Sequence, residues 1–316
     1  MTLRMLLSRT GPLFGLAGVV LFFTLMVWWH TGRNSFATPS NFQTIALQTA
    51  IVGMTALGMT LIIISGGIDL SVGAAVALTS CVVATLLKRA GWPAVPAALG
   101  GIAMGGVCGL VNGVLVTQLR VVPFIITLGM LLVLRGSAEE LADNKTINPA
   151  PCALDALLDP HGFLPPGVWI VTILAVGVVV MLRYTRFGRH VVAIGSNESA
   201  ARLCGVPVMR TKILVYTLGG VFAGLAGLLQ YSRLSMGDPT AAPGLELDVI
   251  AAVVIGGASL SGGEGSVVGS LVGALIMTSI RSGCALMGWP SSRTKIVAGV
   301  IIIAAVALDR LRHRRA

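Results

Sequence analysis

Long apolar runs separated by short polar links repeat along the whole chain. Each run approaches the ~20 residues that a helix needs to cross the ~30 Å hydrocarbon core of a bilayer. The predicted spans are 11–29, 42–65, 70–87, 94–117, 122–138, 167–182, 213–232, 246–260, 267–281 and 294–308. Lipid offers the backbone no hydrogen-bond partners, and the runs are too long for barrel strands. The pattern therefore predicts an all-α integral membrane protein, a polytopic bundle of about ten transmembrane helices.

The first run follows Arg4 and Arg9, as in a signal peptide or an uncleaved first span. Its length, and the lack of a small-residue cleavage site after Trp29, favour the uncleaved span. Ten spans leave no room for a sizeable soluble domain among 316 residues. Residues 1–316 are thus predicted to form a single transmembrane domain.

Charge then orients the bundle. Only 11% of residues are charged, against about 25% in soluble domains. With the N-terminus inside, the inner segments hold 13 of the 22 Lys and Arg residues, six of them in 183–212. Arg310, Arg312, Arg314 and Arg315 add four more at the C-terminus. Acidic residues gather in 139–166. Because cytoplasmic loops are enriched in Lys and Arg, we predict an N-in/C-in topology with a cytoplasmic loop at 183–212 and an outer loop at 139–166. The net charge of +10 follows from this topology, so nucleic-acid binding is not predicted.

The loop 183–212 contains signals for a short helix. Ser196 or Asn197 can cap its start, and Gly205 followed by Pro207 ends it. Alanines between them favour the helix and leave small side chains on its surface. Such a helix could enter a groove of another protein, or it could belong to an ordinary loop that binds nothing.

At this loop the chain resembles the permease subunits of ABC importers, whose cytoplasmic coupling helix has the pattern Glu-Ala-Ala-x-x-x-Gly. Ser199, Ala200, Ala201 and Gly205 match that pattern, with Ser199 in the Glu position and Glu198 one residue early. The stretch RFGRHVVAIGSNESAARLCG is most similar to the ribose-type permeases of bacterial carbohydrate importers. Further similar stretches are Ile68–Gly73, Pro123–Gly136 and Glu246–Gly265.

The resemblance implies a permease subunit that moves a monosaccharide or similar small polyol across the bacterial plasma membrane. It also implies a cytoplasmic ATPase, an external solute-binding protein and a second permease copy or paralogue, all within membrane lipid. Residues implied to couple to the ATPase are Glu198, Ser199, Ala200, Ala201 and Gly205. Ser291–Lys295 departs from the Gln-Gln pair often found there, which leaves the sugar open among pentoses, hexoses and cyclic polyols.

Two predicted breaks in the spans, Ser65–Ser71 and Gly256–Ser261, share the pattern Gly-Gly-x-x-Leu-Ser, and Gly262–Gly265 extends the second. Asp69 in the first break is costly in a membrane unless it caps the next helix or works in a substrate path, and both readings stand. The two breaks could face each other in the bundle. The candidate pathway or gating residues are Gly66, Gly67, Asp69, Ser71, Gly256, Gly257, Ser259 and Ser261.

Other spans carry packing and terminal signals. Gly101, Gly105, Gly109 and Gly113 form a stripe that lets helix backbones approach closely, within the chain or across a dimer seam. Glu246 and Asp248 open a span, where acidic residues suit a helix N-terminus or could meet an external partner. Both carboxylates are predicted to lie at the outer end of that span.

The chain lacks the motif of a nucleotide-binding loop, since none of its four Lys residues follows a Gly. It also shows no catalytic or metal-binding constellation. We therefore predict a transporter subunit and no enzyme, with no cofactor, metal or catalytic residue of its own, and with ATP and Mg²⁺ used by the partner ATPase. The alternative is an ion-driven secondary transporter, which would need buried charges along its path, and Asp69 is nearly the only candidate.

Overall fold

The computed structural model describes residues 3–159 and 164–313, and helices dominate this part of the chain. Positions 160–163 of the predicted outer loop, Arg314 and Arg315 of the predicted inner C-terminus, and residues 1, 2 and 316 lie outside the described residues. The helices are α1 (Leu3–Thr31), α2 (Pro39–Ile64), α3 (Val72–Lys88), α4 (Ala94–Leu119), α5 (Pro123–Leu141), α6 (Pro166–Tyr184), α7 (Arg186–Ser196), α8 (Glu198–Leu203), α9 (Val208–Leu234), α10 (Leu245–Ile255), α11 (Val267–Leu286) and α12 (Ser291–His313), with a 3₁₀ helix at Ala153–Leu158.

Each predicted apolar segment largely coincides with one helix, which confirms an all-helical fold over the described residues. Six helices there are long and apolar enough to cross a membrane: α1, α2, α4, α6, α9 and α11. The prediction of about ten crossings is not confirmed, and α10 shows why. Its 11 residues rise only about 17 Å, because the apolar run 246–260 stops being helical at Ile255, where Gly257 adopts a φ of 95°.

Helices α2 and α9 form the centre of the bundle. In the apolar stretch of α2, 83% of residues are buried, against 11% in α1 and 22% in α6. The outer faces of α1 and α6 carry large exposed apolar side chains, among them Phe14, Leu21, Trp169 and Ile173. Such faces suit contact with lipid, so the buried centre is the part that positions the candidate site.

The glycine stripe of α4 packs against α9 within the same chain. We call this contact the glycine seam, formed by Gly105, Gly109 and Gly113 of α4 with Gly220 and Gly224 of α9. A Cβ atom on Gly105 would lie 2.6 Å from the Gly224 Cα atom, and one on Gly109 would lie 2.9 Å from that of Gly220. Only residues without a side chain permit this approach of two helices. The stripe thus serves packing inside one bundle.

Helices α10 and α11 form an antiparallel hairpin around the second break. Gly256 lies against the backbone of Gly269, and Gly273 lies against Ala252. Asp248, in the first turn of α10, is buried and forms an ion pair with Arg281 of α11. Its charge is therefore compensated inside the chain.

Candidate coupling and gating site

Helix α8 begins and ends where its local sequence dictates. Asn197 is the N-cap, and its side-chain oxygen accepts a hydrogen bond from the Ala200 N–H at 2.9 Å. At the other end, Gly205 has a φ of 79°, and the Val206 N–H donates to the Ala201 carbonyl oxygen at 3.0 Å. This is the glycine-terminated helix end expected of a residue that tolerates left-handed φ. Of the two predicted caps, Ser196 and Asn197, it is Asn197 that caps the helix.

The two alanines of α8 face in opposite directions. Ala201 is buried and packs with Ile194 and Val208 in a small apolar cluster. Ser199 and Ala200 are exposed, as is Gly205. The sequence expectation of small residues on the surface therefore holds for Ala200 but not for Ala201, because Ala201 anchors α8 to α7 and α9.

The carboxylate of Glu198 is held inside the chain by two cations. Lys212 Nζ donates to Oε2 at 2.5 Å, and Arg202 Nη2 donates to Oε1 at 3.1 Å. Partial burial raises the pKa of Glu198, but these two partners outweigh it and leave the pKa below its ordinary value. Glu198 thus ties α8 to the start of α9.

The C-terminal end of α7 packs directly on both helix breaks. We call this contact the break junction, formed by Ile64, Gly66, Gly195, Gly262 and Gly263. The Gly263 N–H donates to the Ile64 carbonyl oxygen at 2.9 Å, and a Cβ atom on Gly262 would lie 2.9 Å from the Gly66 Cα atom and 3.1 Å from the Gly195 Cα atom. Gly66, Gly262 and Gly263 all have positive φ. Three separate chain segments therefore meet here through main-chain atoms.

The first break is organised by a buried polar cluster around Asp69. Asp69 Oδ1 accepts hydrogen bonds from the Ser71 N–H at 2.8 Å and from Ser71 Oγ at 2.6 Å. Asn112 Nδ2, from α4, donates to Asp69 Oδ2 at 3.2 Å and to Ser71 Oγ at 2.8 Å. Asp69 is only 3% exposed. The carboxylate accepts the N–H of the residue just before α3, while the Ser71 side chain makes no capping bond to the helix.

The second break forms turns that are stabilised by hydrogen bonds to Ser259. The Ser261 N–H donates to Ser259 Oγ at 3.3 Å, and the Gly262 N–H donates to the Ser259 carbonyl oxygen at 3.0 Å. Gly256 packs on α11, whereas an added Cβ atom on Gly257 would meet nothing within 4 Å. The two breaks do meet, but through Gly262 and Gly263 rather than through the Gly256–Gly257 pair.

The residues of this site that were not predicted from sequence include Asn112, Gly195 and Leu203, along with Ile64, Gly262 and Gly263 of the break junction. Asn112 is a lone amide inside a glycine-rich apolar span, and that isolation could have marked it. Gly195 lies in the family-like stretch but carries no signal for its contacts with segments that are distant along the chain. Leu203 is 90% exposed at the end of α8, which places an apolar side chain on the surface beside Ala200.

With this geometry established, the chain can be compared with known proteins. A family profile described as branched-chain amino acid transport system / permease component matches residues 41–306. The chain belongs to this permease family. The match includes α7, α8, both breaks and the glycine seam, so every element of the permease's candidate site lies in the family region.

Individual relatives are similar along nearly the whole permease. It is 42% identical over 286 residues to the ribose import permease protein RbsC of Escherichia coli K12, covering 88% of each chain. It is 40% identical over 307 residues to RbsC of Bacillus subtilis, covering 96% of the permease and 93% of the relative. It is 37% identical over 314 residues to the L-arabinose ABC transporter permease protein AraH of Azospirillum brasilense, covering 98% and 90%. No solved structure matches it. The resemblance to ABC sugar permeases is confirmed.

Proposed function

We propose that the permease imports a monosaccharide or similar small polyol, driven by ATP hydrolysis on a separate ATPase subunit. The observation that carries the proposal is the break junction, where the end of α7, the helix that leads directly into the coupling-helix-like α8, touches both breaks of the bundle. Relatives named for ribose and L-arabinose import support the substrate class. We assign ATP and Mg²⁺ to the partner ATPase in this proposal because the sequence has no nucleotide-binding loop.

The ATPase would contact the exposed side of α8. Ser199, Ala200 and Gly205 leave room for close approach, and Leu203 supplies an apolar side chain that a groove would bury. Glu198 and Ala201 would hold α8 in position against α7 and α9, through the ion pairs and the apolar cluster described above. All five predicted coupling residues thus keep a part in the proposal, with Leu203 added.

The proposed topology is N-in/C-in, with α10 as an incomplete crossing within a single transmembrane domain of about ten passes. The excess of Lys and Arg in the segments predicted to lie inside supports the orientation, and the direction of packed helices supports alternating crossings. Thr49 and Thr278 hydrogen-bond at 2.7 Å, and Thr60 donates to Ser270 at 2.8 Å, so α2 and α11 run antiparallel. Residues 183–212 would then face the cytoplasm of a bacterium, and 139–166 would face the solute-binding protein outside the plasma membrane. A second permease copy or paralogue would complete the path.

Closure of the ATPases on ATP would displace α8 and, with it, α7. Because Gly195 contacts Ile64 and Gly263 through the backbone, this displacement would reach both breaks together. The break residues proposed to act in gating are Gly66, Gly67, Asp69, Ser71, Gly256, Gly257, Ser259 and Ser261. Such a mechanism is a two-state change in which nucleotide favours one state of the bundle.

The test replaces one exposed alanine in α8 and, as a control, one exposed alanine in another part of the bundle. In vesicles that contain the permease with its ATPase and binding protein, Ala200→Trp is expected to reduce ATP-dependent ribose uptake at least tenfold by blocking close approach. Ala17→Trp is the control, since Ala17 is also exposed but lies in α1, which packs on α11. Uptake that survives Ala200→Trp and collapses with an ionophore would overturn the proposal in favour of ion-driven transport.

A further inference from the structure

A basic cleft lies beside α8, outside the break junction. It has a volume of about 700 Å³ and lies between the link from α4 to α5 and the start of α9. Its charged lining residues are Arg120, Glu198, Arg202, Arg210 and Lys212. Four cations therefore face one carboxylate.

That carboxylate is already occupied. Glu198 accepts from Lys212 and Arg202, and among the described residues neither Arg120 nor Arg210 has an ion-pair partner. Two guanidinium groups thus remain to bind an anion. A guanidinium presents a planar set of N–H donors that matches phosphate oxygens, often two bonds at a time.

The rim of the cleft is apolar and open. Val122 and Met209 line it and are 62% and 54% exposed, and Leu119 and Phe124, which adjoin lining residues in sequence, are exposed as well. The cleft lies at the C-terminal end of α4 and the N-terminal end of α9, two helices that are long and apolar enough to cross a membrane. A ligand that combines a negative phosphate with an apolar chain would satisfy both the guanidinium groups and the rim.

We propose that this cleft binds the phosphate headgroup of an anionic phospholipid. The phosphodiester would accept hydrogen bonds from Arg120 and Arg210, and the acyl chains would lie along Val122 and Met209. Basic pockets between helices at the inner membrane surface suit such headgroups, and each cation contributes about 1 kcal/mol. A soluble phosphate would leave the exposed apolar rim without a partner, so the lipid fits the whole site better.

The test is lipid retention by the full-length permease, measured by native mass spectrometry in a mild detergent. Phosphatidylglycerol is expected to bind at least tenfold more tightly than phosphatidylcholine. Arg120→Gln/Arg210→Gln should weaken phosphatidylglycerol about 25-fold, from about fivefold for each lost cation. Arg120→Lys/Arg210→Lys keeps the charge and should retain most binding. Unchanged thermal unfolding of each variant shows that it is folded.

The matched control is Arg186→Gln/Arg189→Gln, which removes two exposed cations from α7 that do not line the cleft. It should leave lipid affinity within twofold. Equal loss in both double variants would overturn the proposal, since binding would then follow total charge. Displacement of the lipid by millimolar inorganic phosphate would assign the site to a soluble anion instead. Loss of ATPase association in Arg120→Gln/Arg210→Gln, with lipid binding intact, would assign the cleft to the ATPase.

Discussion

The break junction depends on the absence of one side chain, that of Gly195. A Cβ atom there would strike the Ile64 carbonyl oxygen and lie 2.5 Å from the Gly263 amide nitrogen. Both are main-chain atoms, which cannot rotate away as a side chain can. Gly195→Ala is therefore expected to push α7 away from both breaks, and Gly177→Ala in α6 provides the control.

The two substitutions have the same effect on helix propensity and differ in whether the added methyl group has room. Both positions lie in helices, and alanine favours a helix over glycine by about 1 kcal/mol at most. At Gly177 an added Cβ atom meets nothing within 4 Å, so that variant should be neutral or slightly more stable. Overpacking in a closely packed interior costs about 1–3 kcal/mol. The difference between the two variants isolates this overpacking term.

The comparison needs two measurements on each variant: resistance to unfolding in detergent, and ATP-dependent uptake in vesicles with the partner subunits. Gly195→Ala should unfold more easily than Gly177→Ala by about 1–3 kcal/mol, and its uptake should fall at least tenfold. Equal stability and equal uptake in the two variants would refute the claim that the junction transmits coupling through close backbone contact.

Two further changes test the polar groups. Asp69→Asn retains an oxygen for the Ser71 N–H but replaces the oxygen that accepts from Asn112. Assembly with the ATPase should therefore persist, while uptake falls at least tenfold. Uptake at the wild-type rate would assign Asp69 a purely structural role. Glu198→Gln should lower the free energy of unfolding by at most about 1 kcal/mol at pH 7, because the ion pairs are partly exposed. Because the folded-state pKa of Glu198 is lowered, the ion pairs stabilise the fold at pH values above the ordinary pKa of 4.5, and this stabilisation is lost as the pH falls below 4.5. A difference in stability between Glu198→Gln and wild type that is unchanged at pH 3 would contradict the ion pair with Lys212.

Local chemistry made part of this site predictable from sequence. The Asn197 cap and the Gly205 stop depend on a few neighbouring residues, and both occur as their residue types require. The inward face of Ala201 could not be read, because it depends on where α7 and α9 lie. Likewise, Gly195 meets Gly262 only because the fold brings distant segments together. The length of α10 was overestimated because the apolar run continues to residue 260, although the helix ends at Ile255, just before the predicted break at Gly256 and Gly257.

The glycine seam makes the α4–α9 pair the rigid part of the bundle. Along Gly105 and Gly109 of α4 the two main chains touch, so there are no rotamers to change and no side chains to slide. Helices α4 and α9 should consequently move as one rigid body through any transport cycle. Bending and hinging then fall to the segments outside that pair, above all the short α10 and the glycines with positive φ on either side of it.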